Sequence, residues 1–520
     1  MSQKVLGCPK LIAYVAGAFV IAGLIAGCAG LSPSGSTTVP SPVGASPAGY
    51  LTWKNDNQRT GLQPNETVLT PANVNSTQFG EKFAVPLDGW TFAQPLYVSG
   101  LTVAGAKHNV VFVATEHASV YAFDADAGGP PLWKQSFLGP GITTVQTADN
   151  PAIPMQPEVG ITATPVIDAN NGTIYALAQT VENGVFMNKL HALDITSGAE
   201  RPGSPAVLSD PQFVDKQEFE RSALLLANGN VYTAFASYGD IEPYKGFIFA
   251  FNASTMARIA VWNVVPTGSD GGIWMGAAGP AADGNGNIFV AVGNGTWDGV
   301  NNFGQSVVKL DPLLHVMDHF APFNANQLNI GDRDLGAGGV LLVPDQTGAF
   351  PHEAVVCGKD EPIFVLNRDN LGKKGDTDNN QIIQSVHDQL GGPGLDHCFT
   401  TAAFFNQTLY FIGNNDVIKA FSLDGASGKL SLTPTSRGSF IFPFPGGQAA
   451  VSSNGTSNGI VWAVDFNFAG SLHAFDATDV SRELFRSPSI GQPGKWAVPT
   501  VINGKVYVAT KSQLVVFGLK

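Results

Sequence analysis

Between residues 110 and 510 one short pattern returns eight times. Its strand cores are 110–115, 173–178, 230–235, 287–292, 353–356, 408–412, 460–464 and 505–510, all dominated by Val, Ile, Phe, Tyr and Ala. A second strand follows each core and closes on Phe123, Leu193, Phe251, Leu310, Leu366, Phe421, Phe475 or Phe517, a mean spacing of about 56 residues. Asn170-Asn171-Gly172, Ala227-Asn228-Gly229, Asn285-Gly286 and Asn503-Gly504 are hairpin signals ahead of the cores. No helical period is sustained after about residue 30. Repeated hairpins without intervening helices predict radial antiparallel sheets, an all-β, eight-bladed β-propeller. Seven blades is the fallback, because Phe475 to Phe517 spans only 42 residues. The last unit ends after its third strand, so 83–87 is expected to supply the missing outer strand and close the ring.

Composition supports this. Sixty Gly and 34 Pro in 520 residues suit many turns, and charged residues are only 13%. The net charge is −13 with no basic tract, which argues against nucleic-acid binding. At the start, Lys4 and Lys10 precede an apolar run, 11–26, too short to span a bilayer comfortably. It ends in Leu24-Ile25-Ala26-Gly27-Cys28, which resembles the lipobox of bacterial lipoproteins. That resemblance implies a signal peptide at 1–27, a lipid on Cys28, a Ser/Pro/Gly linker over 28–50 and the propeller over 51–520. The protein would then be exported and lipid-anchored in a bacterial cell envelope, on its periplasmic or outer-membrane face, touching membrane only through the lipid. An ordinary signal peptide or an uncleaved anchor is the alternative. Cys357 and Cys398 remain in the folded part, as a disulfide or as two buried thiols.

In an antiparallel blade the innermost strand starts on one face and the second strand returns to it. Residues before first strands and after second strands therefore ring one mouth of the central channel. The former include Glu158, Arg221, Trp274, Asp334 and Lys495, the latter Glu116, Glu182, Tyr238, Asn294 and Lys359. Such a ring suits a small polar or anionic ligand or Ca²⁺, although loop ends are also polar simply because they are wet.

The fourth unit is distinctive: 271–276 reads Gly-Gly-Ile-Trp-Met-Gly, Gly293-Asn294 is followed by Trp297, and Asp332-Arg333-Asp334 comes after the outer strand. These repeats resemble those of quinoprotein alcohol dehydrogenases, which bind pyrroloquinoline quinone and Ca²⁺. The resemblance implies that Trp274 forms the floor under the quinone and that Lys359, ahead of Leu366-Asn367-Arg368, contacts its oxygens. It implies Glu182 and Asn294 as Ca²⁺ ligands, and Asp334, 40 residues after Asn294, as the base for a substrate hydroxyl, with Asp332 its rival. The expected substrate is an alcohol or a sugar. The chain departs from the family at 90–94, Trp-Thr-Phe-Ala-Gln, where a vicinal Cys pair and a following Asn-Arg are absent. It also has no Cys-x-x-Cys-His haem motif, so electrons would leave to an external acceptor.

Two other functions stay open. One is a non-catalytic propeller lipoprotein that binds a ligand or an envelope protein, as an assembly scaffold does. The other is a glycan-directed propeller resting on Glu158, Glu182 and Asp334. Each site residue has a structural alternative too: Trp274 as a core ring, Asn294 as a turn residue, Asp334 as a partner of Arg333, and Glu182 and Lys359 as solvated rim.

Overall fold

The computed structural model describes residues 49–151, 157–360, 362–392 and 396–520. The expected signal peptide, the expected lipidation site Cys28 and nearly all of the expected linker lie outside the described residues. Eight sheets of four or five strands, each built on an antiparallel meander, follow one another along the chain, with one further two-stranded ribbon of Val145–Gln146 and Glu158–Val159. The first blade is built on Leu96–Val103, Ala106–Thr115, Ser119–Asp124 and Trp133–Ser136, and the second on Val166–Asp168, Thr173–Glu182, Val185–Asp194 and Ala206–Val207. The third comprises Glu218–Ala227, Asn230–Ser237, Phe247–Asn252 and Arg258–Asn263. The remaining five have middle strands Ile288–Ala291, Glu353–Cys357, Thr408–Ile412, Ser457–Val464 and Lys505–Ala509. Eight blades, not seven, make this β-propeller.

The turns form for the reason their residues suggest. Asn228-Gly229 and Asn503-Gly504 take left-handed backbone at both positions, φ 56° and 72° in the first and 54° and 73° in the second. That geometry matches the twist of the strands it joins. The strands bury both faces, Val, Ile, Phe and Ala packing between neighbouring sheets, as in the buried run Thr173–Val181. The ring closes with an N-terminal strand. Phe79–Pro86 pairs antiparallel with Gln513–Leu519, Ala84 opposite Val515, as the outer strand of blade eight.

Residues 49–63 form a strap across the inner strands. Gly49–Tyr50 pairs with blade one and Leu62–Gln63 runs parallel to Ala450–Asn454 of blade seven. Between them, carbonyls of Leu51, Asn57, Gln58, Thr60 and Gly61 accept N–H groups of Ile167, Ala282, Leu342, Phe404 and Val451, one each from blades two, four, five, six and seven. Asn57 Nδ2 donates to Leu226 O of blade three, and Gly504 N of blade eight donates to Glu66 Oε2. Arg59, fully buried, donates to the carbonyls of Trp53, Leu224 and Pro280.

Cys357 and Cys398 are joined by a disulfide, S–S 2.03 Å, linking the end of blade five's second strand to the entry of blade six. Among the described residues no helix is long and apolar enough to cross a membrane.

Candidate functional site at the propeller mouth

Trp274 sits in the loop that enters blade four. The loop then makes a tight turn at Met275–Ala277, where Gly276 has φ 54° and a Cβ would lie 2.0 Å from Phe399 O. Only glycine fits there. Gly293, leaving the second strand of the same blade, is equally constrained: a Cβ would meet Asp334 Oδ1 at 2.4 Å and Trp274 Cδ1 at 2.7 Å. Its missing side chain is what lets Asp334 approach the indole.

Asp334 is buried, 5% exposed. Its Oδ1 accepts Asn294 N at 2.6 Å, and its Oδ2 is 2.7 Å from Lys359 Nζ. Lys359 Nζ also contacts Asp332 Oδ1 at 2.8 Å. Burial pushes the Asp334 carboxyl above the usual range, with Lys359 pulling the other way. Burial opposes the Lys359 charge, but Asp334 and Asp332 hold its pKa above the ordinary value. Arg333 turns away to Asp396 at 3.0 Å, so it is not the partner of Asp334.

Trp274, Asp334 and Lys359 line one cavity of about 190 Å³, together with Arg221, Asp240, Gly276, Ala337, Phe399, Phe444, Lys495 and Trp496. The Arg221 guanidinium lies over the rings of Trp274 and Trp496, 5.1 and 4.4 Å from their centroids. Lys495 lies over Phe444 and Trp496, at 4.9 and 5.6 Å. Burial depresses both cations, Arg221 to about 10, and Arg221 itself pushes Lys495 further down. Arg221 Nε and the indole N–H groups of Trp274 and Trp496 are buried without hydrogen-bond partners.

Asn294 borders a neighbouring cavity of about 260 Å³ with Asp240, Glu242, Tyr244, Asp270, Asn329 and Asp332. Its Oδ1 accepts Gln305 Nε2 at 2.6 Å and its Nδ2 donates to Asp332 at 2.7 Å. Glu182 is not brought to this group. Blade two's hairpin continues to the turn at Asn183-Gly184, and Glu182, at its tip, is held by Lys189 at 2.5 Å. Among the described residues no set of three or more His, Cys, Asp or Glu is placed to hold a metal ion. The ammonium of Lys359 already stands between the carboxylates of Asp332 and Asp334. The expected Ca²⁺ ligands Glu182 and Asn294 are therefore not gathered into one site, Glu182 being held by Lys189 and Asn294 Oδ1 by Gln305. The cavity does fit a flat, acceptor-rich organic group: it offers ring faces, cations and unpartnered buried donors.

Arg221 and Lys495 occupy the topological positions that single out Trp274 and Asp334, yet nothing in their local sequence marks them. Arg221 is the extra residue of a β-bulge: Glu220 opposes Phe235 and Ser222 opposes Ala234, leaving position 221 unpaired. A bulge re-aims a side chain that regular alternation would assign elsewhere.

No protein-family profile and no curated protein matches the sequence. Solved structures do match. A quinohemoprotein alcohol dehydrogenase from Comamonas testosteroni is similar over 90% of this chain and 80% of its own, at 14% identity and TM-score 0.65. A europium-containing methanol dehydrogenase is similar over 91% and 98%, at 13% identity and TM-score 0.63. BamB from Moraxella catarrhalis is similar over 85% and 98%, at 13% identity and TM-score 0.50. The fold is that of the quinoprotein dehydrogenases and of BamB-like propellers. At these identities the likeness extends to the fold alone.

Proposed function

We propose that this chain is an exported, lipid-anchored quinoprotein dehydrogenase that oxidises an alcohol or sugar hydroxyl, with pyrroloquinoline quinone held at the propeller mouth. The observation that carries the reading is the convergence of Trp274, Asp334 and Lys359 on one cavity. Fold likeness to two dehydrogenases of that class supports it. Bound there, the quinone would supply a two-electron oxidant able to take the C–H hydrogen together with its electron pair, so that loss of the hydroxyl proton leaves the carbonyl product. Trp274 supplies a flat face beneath the ring system. Lys359, kept charged by Asp332 and Asp334, which take two of its three N–H donors, would offer the third to an oxygen in the cavity and stabilise negative charge there. Asp334 receives the hydroxyl proton on its carboxylate, and burial makes that carboxylate a stronger base than one in water. No step is assigned to Ca²⁺.

The test is binding of pyrroloquinoline quinone to the full chain, followed by tryptophan quenching, with alcohol and sugar oxidation measured against an added electron acceptor. Asp334→Asn is expected to keep quinone binding and lose about 10²–10⁴ in turnover. Quinone binding that is absent at every concentration tried would end the reading. The Lys359 ion pairs favour a second reading, a binding or assembly propeller, because they neutralise Asp334 and Asp332 without any cofactor. On that reading Asp334→Asn costs only stability. Lipidation is tested separately: Cys28→Ser should move the protein from the membrane to the soluble fraction.

A further inference from the structure

At the outer edge of blade four lies a cavity of about 470 Å³ that shares no lining residue with the one at the mouth. Its size is within the range of small-molecule sites, about 300–1,000 Å³. Trp297 and Phe303 pair across a β-bridge and bound the loop between them. That loop is fixed from inside. Asp298 Oδ1 accepts the N–H groups of Val300, Asn301 and Asn302 at 2.8, 2.7 and 2.9 Å, and Asn302 Nδ2 donates to Asp298 Oδ2 at 2.6 Å. Gly299 has φ 69°, and a Cβ there would lie 3.0 Å from the Trp297 ring and 3.5 Å from His319 Nε2, so a side chain would crowd both rings. His319, on the strand Val316–Ala321, is 6% exposed and lines the cavity, and among the described residues its ring nitrogens have no hydrogen-bond partner. Phe303 and Trp297 hold the imidazole edge to face, at 5.3 and 6.4 Å. Burial, and then the Lys373 charge, keep its pKa below the ordinary value, so at neutral pH the ring is uncharged and offers one donor and one acceptor. Lys373 itself is paired with Asp318 at 2.5 Å. Lys374 has no carboxylate of the described residues within ion-pair distance, and its ammonium rests 5.3 Å from the centroid of the Trp297 ring. Val300 and Met317, 75% and 58% exposed, give the cavity an apolar rim.

We infer that this cavity at the edge of blade four binds a sugar acid, a pyranose that carries a carboxylate, on Trp297, His319 and Lys374. The C–H face of the pyranose packs on the aromatic walls and covers the exposed rim of Val300 and Met317. A sugar hydroxyl both gives and takes a hydrogen bond, and neutral His319 presents the complementary pair. A flat aromatic ligand would cover the rings equally well but leave that buried pair unfilled, which costs free energy. Lys374 moves from the indole to the carboxylate and makes a charge-assisted hydrogen bond with it. Among the described lining residues Lys374 is the one unpaired cation, so the site matches a single carboxylate and not a polyanion. Binding here involves no quinone and no redox step.

The probes are methyl β-D-glucuronide and methyl β-D-glucoside, which differ only in a carboxylate that replaces a hydroxymethyl group. Each is titrated into the full chain at low salt and followed by saturation-transfer NMR and calorimetry. The glucuronide is expected to bind at least about fivefold more tightly than the glucoside. Lys374→Gln should erase that preference and leave the glucoside unchanged. Trp297→Ala should abolish binding of both, and His319→Phe should weaken both by about tenfold. Melting curves confirm folding. If Trp297→Ala does not fold, Lys374→Gln, at a half-exposed side chain, decides together with the glucoside comparison. Added pyrroloquinoline quinone should leave the glucuronide affinity unchanged, whereas competition would place the probe at the mouth and overturn the site. Glucuronide binding without quinone binding sustains the site and removes the dehydrogenase reading. Equal affinity for the two probes, a preference that survives Lys374→Gln, or no binding of either at tens of millimolar overturns the site and leaves the dehydrogenase reading standing.

Discussion

Glu116 and Glu220 meet across Thr162 beside the mouth. Glu116 Oε2 accepts Gly160 N at 2.9 Å and Thr162 Oγ1 at 3.1 Å, and Glu220 Oε1 accepts Thr162 N at 2.8 Å. The other oxygen of each is buried without a partner. Burial raises Glu116 to about 8, raises Glu218 to about 8 and lifts Glu220 well above its ordinary value. An unfolded Glu titrates near about 4.3. The folded state therefore binds more protons than the unfolded state between these values, and stability must fall as pH rises through about 8. Carboxylates held low are already ionised by then and add no slope. We expect the melting temperature to drop by several degrees between about pH 6 and 8.5. Glu116→Gln should flatten that drop, because its amide oxygen keeps both accepted bonds and its amide nitrogen carries no charge. Identical slopes for the two proteins would refute the assignment. The same neighbourhood shows what sequence can and cannot disclose. The meander placed Trp274, Asp334 and Lys359 among the loop ends that ring the mouth, and the family resemblance singled them out from the rest. Arg221 was legible as a mouth position too, but its place over the rings of Trp274 and Trp496 was not, since a one-residue bulge decides its direction and leaves no compositional trace. Glu182 looked like a loop residue after a strand, but the strand runs on through it to Asn183-Gly184.

Residues 49–63 show the same limit for an element. Their sequence, Gly-Tyr-Leu-Thr-Trp-Lys-Asn-Asp-Asn-Gln-Arg-Thr-Gly-Leu-Gln, has neither strand alternation nor helical period and reads as the start of a domain. Its structure is set by partners from every blade rather than by local preference, so nothing within the segment announces it. Lys54 and Arg59 supply the clue in hindsight: both are fully buried, and both spend their donors on backbone carbonyls of distant blades. Arg59 alone joins Leu224 of blade three to Pro280 of blade four. Arg59→Met keeps most of the volume but strands these carbonyls in the interior. We expect a loss of about 3–5 kcal/mol, since several buried hydrogen bonds go at once. Chemical denaturation against the unaltered chain measures it, and a loss below about 1 kcal/mol would show that the strap is only laid on the ring.

A ring of sheets is stable only if its first and last members meet, because an unclosed terminal strand is an edge on which other chains can pair. Here the two ends of the chain share blade eight, with Phe79–Pro86 outside Gln513–Leu519. The side chain that locks this meeting is Phe79. It is wholly buried and packs on Phe517 of blade eight at 6.1 Å and on Trp462 and Phe485 of blade seven at 5.7 and 5.0 Å. The outer strand was legible from the missing fourth member of the last repeat. Its anchoring was not, because Phe79 lies upstream of the visible alternation at 83–87. Phe79→Ala opens a cavity at the seam and should cost about 3–5 kcal/mol. It should also do what an equal loss elsewhere in the ring would not: free the outer strand and expose the backbone of Gln513–Leu519. Concentration-dependent aggregation below the melting temperature, with faster amide exchange confined to residues 513–519, is the expected result. Leu432→Ala, at a side chain 70% exposed, serves as the control. If Phe79→Ala lowers stability but leaves exchange at 513–519 unchanged, closure is carried by the backbone ladder and not by the aromatic lock.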